Sequence, residues 1–312
     1  KKTKIFTNSH DEKKDFYKVK CVLYQCQKCN FIFQIPSKIL IKKLTKIYQS
    51  KKAQLSQPLG EGNWGIERFN ILKSKLSEIY KFKNKNILEL ACGNGYVLHQ
   101  LSKQGFKHLY GIDPSINNGT KKTKVKFIKD FVNHKLNLGK KFDFIFSIGL
   151  YEHSYDINEL TNFSINHLSE KGQILIMMPN FYTSLKNGNP DLFAHEHINY
   201  FTLKSIKNHF KKFNFKVVKN FSDNHSIVLY LTRSSSKIKK FFKKEKIINY
   251  NYNSKLNINL KIIRSYMNSN NLLIHGACNS LNNIISWLNI KKKFVLVDND
   301  ENKINKFFFN SK

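Results

Sequence analysis

The segment Asn86-Ile87-Leu88-Glu89-Leu90-Ala91-Cys92-Gly93-Asn94-Gly95 gives the clearest indication of the fold. Its apolar first half predicts a buried strand of a parallel sheet. Gly93 and Gly95 predict a sharp turn in which the backbone approaches a ligand closely. A helix is predicted over 96–103, with unpaired N–H groups at its start. Because position 98 is Leu, the G-x-G-x-x-G spacing of a dinucleotide site is absent.

Further apolar runs on either side of this turn predict the rest of the sheet. They alternate with helical stretches, as expected for strand–helix–strand units. The sequence therefore predicts an α/β fold with a sheet of about seven strands, mostly parallel. The other six predicted strands are 108–113, 125–128, 142–147, 172–179, 216–218 and 226–231.

Three carboxylates lie at or just beyond the carboxyl ends of the first three predicted strands. Glu89 lies near the end of the first, Asp113 ends the second, and Asp130 follows the third with Phe131 beside it. Ligands of open α/β sheets bind at the carboxyl ends of the strands. These residues could accept bonds from an ammonium group, two ribose hydroxyls and an adenine amino group, with Phe131 as an apolar face. Those are the polar groups of S-adenosylmethionine (SAM).

This pattern resembles the class I SAM-dependent methyltransferases, whose first motif reads D/E-x-G-x-G-x-G. Ala91 stands at the first glycine of the motif, followed by Gly93 and Gly95. The resemblance continues in Leu150-Tyr151-Glu152-His153 and in the turn 168–172. It implies a Rossmann-like fold, a SAM cofactor and a transferase of one-carbon groups, with the motif residues in the cofactor site.

A dense group of proton-transfer residues follows the fifth strand, in Phe193-Ala194-His195-Glu196-His197-Ile198-Asn199-Tyr200-Phe201-Thr202. This segment resembles the H-E-H-x-x-Y-F-[ST] motif of sugar C-methyltransferases, which methylate a ring carbon of a nucleotide-linked keto-sugar. The resemblance implies His197 as the base, supported by Glu196 and Tyr200. A histidine with a near-neutral pKa can remove a proton next to a carbonyl. Ala194 stands where that family has Tyr, which leaves O-methylation of a sugar or glycan as the alternative.

Cys26 and Cys29 form a C-x-x-C pair that predicts half of a zinc site. Cys21 and His10 are the candidates for the remaining ligands, and a redox pair or a chance spacing is the alternative. The same sugar methyltransferases have a zinc-binding N-terminal module, which the resemblance implies here in truncated form.

The C-terminal region repeats a smaller strand–helix–strand pattern. A strand followed by a turn is predicted over 272–277, then a helix near 281–288 and a second strand over 294–298. It resembles the C-terminal Rossmann-like domain of the same family. We therefore predict three parts: a zinc-binding-like module over 1–50, a methyltransferase domain over 51–235, and an incomplete α/β domain over 236–312.

The chain has 312 residues and a formal net charge of +33, which first suggests nucleic acid. Only three of the 54 basic residues are Arg, the residue best suited to phosphates and bases. We therefore expect a nucleotide-sugar as the substrate and no nucleic-acid or membrane partner, with a basic nucleic-acid-binding protein carrying a zinc knuckle as the alternative. Five cysteines and no apolar leader predict a reduced, cytoplasmic setting. The sequence gives no indication of the oligomeric state.

Overall fold

A computed structural model describes residues 2–5, 17–20, 22–50, 59–60, 62–116, 124–194, 196–236, 248–269, 271–292 and 294–299. Its strands are β1 Lys2–Ile5, β2 Tyr17–Lys20, β3 Leu23–Gln25, β4 Ile32–Gln34, β5 Asn86–Leu90, β6 His108–Ile112, β7 Val125–Ile128, β8 Phe142–Ile148, β9 Leu168–Pro179, β10 Asn199–Tyr200, β11 Phe215–Ser222, β12 Ser226–Arg233, β13 Leu273–His275 and β14 Val295–Val297. Its α-helices are α1 Lys38–Gln49, α2 Gly62–Lys75, α3 Tyr96–Lys103, α4 Ile157–His167, α5 Phe181–Asn187, α6 Leu203–Lys212, α7 Tyr252–Met267 and α8 Asn279–Leu288. Short 3-10 helices cover Ser77–Phe82, Tyr151–His153 and Pro190–Leu192.

A seven-stranded sheet forms the centre of the molecule, in the order β11-β12-β9-β8-β5-β6-β7. Strands β5 to β9 run parallel to one another, while β12 pairs antiparallel with both β9 and β11. The predicted α/β fold and strand number are confirmed. This sheet, with one reversed strand near its edge, has the Rossmann-like arrangement that the resemblance implies.

The central strands are buried on both faces, which explains their continuous apolar runs. In β5, residues 87–90 are all buried, and β8 is buried at positions 142 and 144–147. Helix α3 covers one face with Val97, Leu98 and Leu101. Strand β11 alternates between half-buried and exposed residues because it lies at the edge of the sheet.

The direction in which the chain adds strands to the sheet reverses at β5. The chain builds β6 and β7 on one side and then returns to form β8 and β9 on the other. Such a reversal opens a crevice between the carboxyl ends of the two neighbouring strands, here β5 and β8, and ligands of α/β sheets bind there. The fold therefore places the turn after β5 and the segment after β8 at the two sides of one crevice.

The N-terminal part of the chain is joined to the central region by backbone pairing. Strands β3 and β4 form an antiparallel hairpin, and β4 also pairs with β10, so that Asn199 lies opposite Phe33. The predicted division into three parts remains a prediction. A hydrophobic cluster shared by Ile32, Phe181 and Leu256 packs residues of all three parts together.

The C-terminal pattern appears where it was expected. Strands β13 and β14 pair in parallel, with α8 between them in the chain. The Ala277 N–H donates to Asp298 Oδ2 at 2.7 Å. Within the described part of the chain, no helix combines the length and apolar character needed to cross a membrane.

Candidate active site

The turn after β5 uses three residues with positive φ. Ala91 has φ 54°, Gly93 φ 56° and Gly95 φ 72°. A Cβ on Gly95 would lie 2.5 Å from Phe127 Cζ, so this position has no room for a side chain. A Cβ on Gly93 would meet no atom within 4 Å, so the space above that backbone is open. Ala91 carries the left-handed strain that glycine avoids, about 1–2 kcal/mol.

Asp113 fixes the same turn from the end of β6. Its Oδ2 accepts the Gly93 N–H at 2.9 Å, and its Oδ1 accepts the N–H and hydroxyl of Ser115 at 2.8 and 2.6 Å. Each carboxylate oxygen has two lone-pair directions. Oδ2 accepts one hydrogen bond from the described residues, so it can also accept a ligand hydroxyl while still holding the loop. Gly111, which the sequence analysis did not single out, lets β6 pass Cys92, because a Cβ there would lie 2.7 Å from the thiol sulfur.

Glu89 lies deep in the crevice. The residue is only 3% exposed, and its Oε2 has no hydrogen-bond partner among the described residues. Burial, and then the nearby charge of Asp113, raise the pKa of Glu89 well above its usual value. An orphaned buried carboxyl oxygen is costly unless a ligand supplies a donor. An ammonium group fits this requirement, so the residues present fit the amino-acid end of SAM.

Asp130 and Phe131 lie just beyond β7, on the other side of the glycine turn from β8. Asp130 is exposed, and its Oδ1 accepts the Phe131 N–H at 2.7 Å. Phe131 is half-buried. The exposed carboxylate is accessible to a ligand amino group, as the sequence analysis predicts, but the role of both residues remains a prediction.

A group of acid–base side chains lies after β8, on the opposite side of the crevice. Glu152 and His153 come from the 3-10 helix that follows β8, and His197 comes from the loop before β10. One ligand-type atom from each of the three lies within 4.8 Å of the others. The rings of His153 and His197 have centroids 5.0 Å apart. We call these three residues the histidine cluster.

Helix α1 contributes a residue that the sequence analysis missed. The Tyr48 hydroxyl lies 3.2 Å from His153 Nδ1, and the Glu196 carbonyl oxygen lies 3.0 Å from the same nitrogen. Burial, and then the charges of Glu196, Tyr155 and Glu152, raise the pKa of Tyr48 well above its usual value. Tyr48 therefore stays a neutral phenol beside the histidine cluster. No local motif marks it, because its partner is 105 positions away in the chain.

The loop that carries Glu196 and His197 is held by several polar contacts. The Tyr200 hydroxyl donates to the Ala194 carbonyl at 3.1 Å, and Tyr200 is only 1% exposed. The Gln34 side chain donates to the carbonyl oxygens of Ala194 and His197. Tyr200 thus holds the loop in this structure, and the catalytic roles of Tyr200 and Glu196 remain predictions.

Cys26 and Cys29 lie together in the turn between β3 and β4. The Cys26 N–H donates to the Phe31 carbonyl at 2.8 Å, and the Asn30 N–H donates to the Cys26 carbonyl at 2.9 Å. Neither cysteine forms a disulfide. The suggested further zinc ligands, Cys21 and His10, lie outside the described residues, so the zinc site remains a prediction.

Several curated proteins are similar in sequence to part of this chain. The tRNA U34 carboxymethyltransferase of Campylobacter jejuni subsp. doylei is 34% identical over 97 residues, which are 28% of this chain and 32% of the relative. The same enzyme of Nautilia profundicola is 26% identical over 211 residues, covering 57% of this chain and 62% of the relative. The chain thus spans about a third of the length of the Campylobacter relative.

These relatives correct one expectation from the sequence. A nucleotide-sugar was expected as the substrate, and nucleic acid was excluded as a partner. The curated relatives bear the name of tRNA-modifying enzymes, which overturns both statements. The exclusion relied on the scarcity of Arg, and lysine-rich surfaces attract polyanions as well through their charge alone.

The remaining comparisons concern the fold and the family. The solved 1,6-didemethyltoxoflavin-N1-methyltransferase of Burkholderia thailandensis, with bound S-adenosylhomocysteine, is 12% identical, with a TM-score of 0.47 over 70% of this chain and 100% of that chain. A family model described as a methyltransferase domain matches residues 64–220, just over half of the chain. The match begins in α2, includes the glycine turn and the histidine cluster, and ends in β11. The chain therefore belongs to this family of methyltransferase domains.

Proposed function

We propose that this enzyme methylates an acceptor atom that first loses a proton to His197. The observation that carries the proposal is the position of the histidine cluster after β8, across the crevice from the orphaned Glu89 carboxyl oxygen near the end of β5. Strands β5 and β8 are neighbours in register, with Leu90 opposite Ser147. Both groups therefore border one crevice, where a methyl donor and a proton acceptor have to meet.

We assign the cofactor contacts to the residues after β5, β6 and β7. Glu89 would accept from the ammonium group, Asp113 from the ribose hydroxyls and Asp130 from the adenine amino group, while Phe131 would cover the adenine ring. Gly93 and Gly95 would leave room for the backbone to approach, and Ala91 would continue the same turn. SAM supplies an electrophilic methyl group when it is bound.

The residues of the chain would activate the acceptor. His197 takes the proton from the acceptor atom, which leaves an electron pair directed at the methyl carbon. A ring carbon beside a carbonyl group needs such a base most, because carbon is a poor nucleophile until its proton is removed. Glu152, buried next to the imidazoles, would stabilise the positive charge that His197 acquires.

For the acceptor molecule we propose tRNA. The relatives named above act on tRNA by name, and the formal net charge of +33 favours a polyanion over a neutral small molecule. Phosphate contacts made by lysines position an RNA without reading its sequence. A surface rich in Lys and poor in Arg is compatible with that kind of contact.

The test uses SAM with an isotope-labelled methyl group and total tRNA. We expect label in the RNA, and we expect His197→Ala to abolish transfer while calorimetry shows unchanged SAM binding. His108→Ala is the matched control, because His108 is exposed at the amino end of β6, on the opposite edge of the sheet. Turnover within a few-fold of wild type in His197→Ala would exclude His197 as the base. Normal SAM binding without label in any RNA would exclude tRNA.

A structural zinc at Cys26 and Cys29 is a separate proposal. The backbone N–H groups of the β3–β4 turn lower the pKa of Cys26, while burial raises the pKa of Cys29. A thiolate is the form that binds metal. Metal analysis of the whole protein, with Cys26→Ser as the control, is the test, and absence of zinc would remove the proposal.

A further inference from the structure

We propose that the histidine cluster is also a binding site for a divalent transition metal of the zinc class, and that the bound metal inhibits methyl transfer. The inhibition rests on the function proposed above, whereas metal binding can be measured without it. The cluster combines two imidazoles and one carboxylate from two separate segments of the chain. This donor set suits zinc, cobalt or nickel better than magnesium, which prefers oxygen ligands alone.

His153 is oriented as a metal ligand. The Glu196 carbonyl, 3.0 Å from Nδ1, can only accept, so Nδ1 carries the proton. The lone pair is then on Nε2, which lies 3.9 Å from Glu152 Oε1. A ligand histidine typically has this arrangement, in which the second ring nitrogen donates to a backbone carbonyl and fixes the tautomer. Tyr48, 3.2 Å from Nδ1, adds a further contact on the side away from the proposed metal.

Glu152 supplies the charge that a cation requires. Its side chain is 3% exposed, so an ionised carboxylate here has lost most of its hydration. A buried carboxylate favours a positive charge at close range. A divalent ion between the carboxylate and the two imidazoles would add such a charge. The backbone holds Glu152 in place, because its carbonyl accepts the Ile198 N–H at 2.7 Å.

The three ligand atoms of the histidine cluster have to move slightly closer together to bind one metal ion. A tetrahedral zinc with bonds near 2.1 Å sets its ligand atoms about 3.4 Å apart. The Glu152–His153 pair, at 3.9 Å, needs to close by about half an ångström, and the widest pair in the cluster, within 4.8 Å, by at most about 1.4 Å. Rotation of the half-buried His197 side chain can bring it towards the other two ligands, and small side-chain rotations of Glu152 and His153 can close their own pair. The fourth position stays open, as in sites that exchange ligands.

The bound metal would inhibit methyl transfer because it competes with the acceptor proton for the lone pair of His197. A metal on His197 occupies the lone pair that would take the acceptor proton. Zinc and protonation are alternatives at that nitrogen, because a coordinating imidazole has to be neutral. The enzyme would then bind SAM normally but turn over slowly until the metal is removed.

The binding test is a titration of the full chain with Co²⁺, followed by competition with Zn²⁺. Cys26→Ser/Cys29→Ser serves as the background, so that the cysteine pair does not contribute. We expect one site per chain with d–d absorption but without a thiolate-to-cobalt charge-transfer band. Glu152→Gln should weaken binding at least 100-fold, and Tyr48→Phe about 10-fold, since loss of an outer contact typically costs 10–100-fold.

Glu159→Gln is the matched control. Glu159 and His134 form an exposed carboxylate–imidazole pair at 2.6 Å that is not part of the cluster, and loss of this pair should leave Co²⁺ affinity unchanged. Glu152→Asp, which keeps the charge, should retain more affinity than Glu152→Gln and guards against a folding defect. Unchanged affinity in Glu152→Gln, or absorption that appears only with the cysteines present, would overturn the site. Zinc inhibition that a chelator reverses supports the second half of the proposal, and full activity of the zinc-loaded protein would refute it.

Discussion

Glu89→Gln should make the protein more stable while weakening its hold on SAM. The Glu89 carboxyl is buried with an orphaned oxygen, and burial and then Asp113 raise its pKa well above the usual value. A group whose folded pKa is raised in this way binds more protons in the folded state. Stability is therefore lost as pH rises from about 4.5 towards the folded pKa, at about 1.4 kcal/mol per pH unit. Glutamine, which does not ionise, removes that loss.

Cofactor affinity should change in the opposite direction. A hydrogen bond to a charged group contributes about 1.5–3 kcal/mol. Losing it corresponds to about 10- to 150-fold weaker binding. In the wild type, the ammonium group binds the ionised carboxylate, so SAM binding should release a proton and tighten as pH rises. The Gln variant should lack both effects.

Calorimetry in two buffers of different ionisation enthalpy measures the affinity and the released proton together. Urea denaturation at several pH values measures the stability. Glu170→Gln is the control, because Glu170 is exposed in β9 and should change neither quantity. A Glu89→Gln variant that binds SAM within two-fold of wild type would refute the assigned ammonium contact, even if its stability rises as expected.

Two further predictions concern stability. Ala91→Gly should raise the free energy of unfolding by about 0.5–1 kcal/mol, because it relieves the positive φ at Ala91 and loses part of that gain to backbone entropy. Denaturant melts will show this, and a loss of stability would contradict the strain. Burial, and then Lys212, lower the pKa of His209 to about 4, so stability should fall by about 3 kcal/mol as pH drops from 6.5 to 4. His209→Gln should lose this pH dependence, and an unchanged pH profile would contradict it.

Most of the central sheet could be predicted because its strands are buried on both faces. Such strands are continuous apolar runs, and the predicted helix over 96–103 matches α3 at both ends. The predicted strand over 216–218 captured only part of β11, which covers Phe215–Ser222. At the sheet edge, polar residues alternate with apolar ones, and the run that marks a buried strand is absent.

The residues proposed for the cofactor side could be predicted from the sequence, whereas those proposed for the acceptor side could be predicted only in part. Glu89 and Asp113 each end a recognisable strand, so local pattern and sheet topology together place them in one crevice. Tyr48 lies in a helix whose sequence gives no sign of a partner. Its contact with His153 depends on where α1 packs, and a pattern in one segment carries no information about that.

The pairing of β4 with β10 shows how the N-terminal part of the chain supports the acceptor side of the crevice. Strand β10 has only two residues, too few to hold a loop by itself. Its pairing with β4, together with the Gln34 side chain, fixes the loop that carries His197. Helix α1 follows β4 directly, so the backbone that positions this loop also positions Tyr48 beside His153. The residues assigned to SAM lie instead at the ends of β5, β6 and β7 and in the turns that follow these strands. We therefore expect changes in β4 and α1 to alter the acceptor side more than the cofactor side.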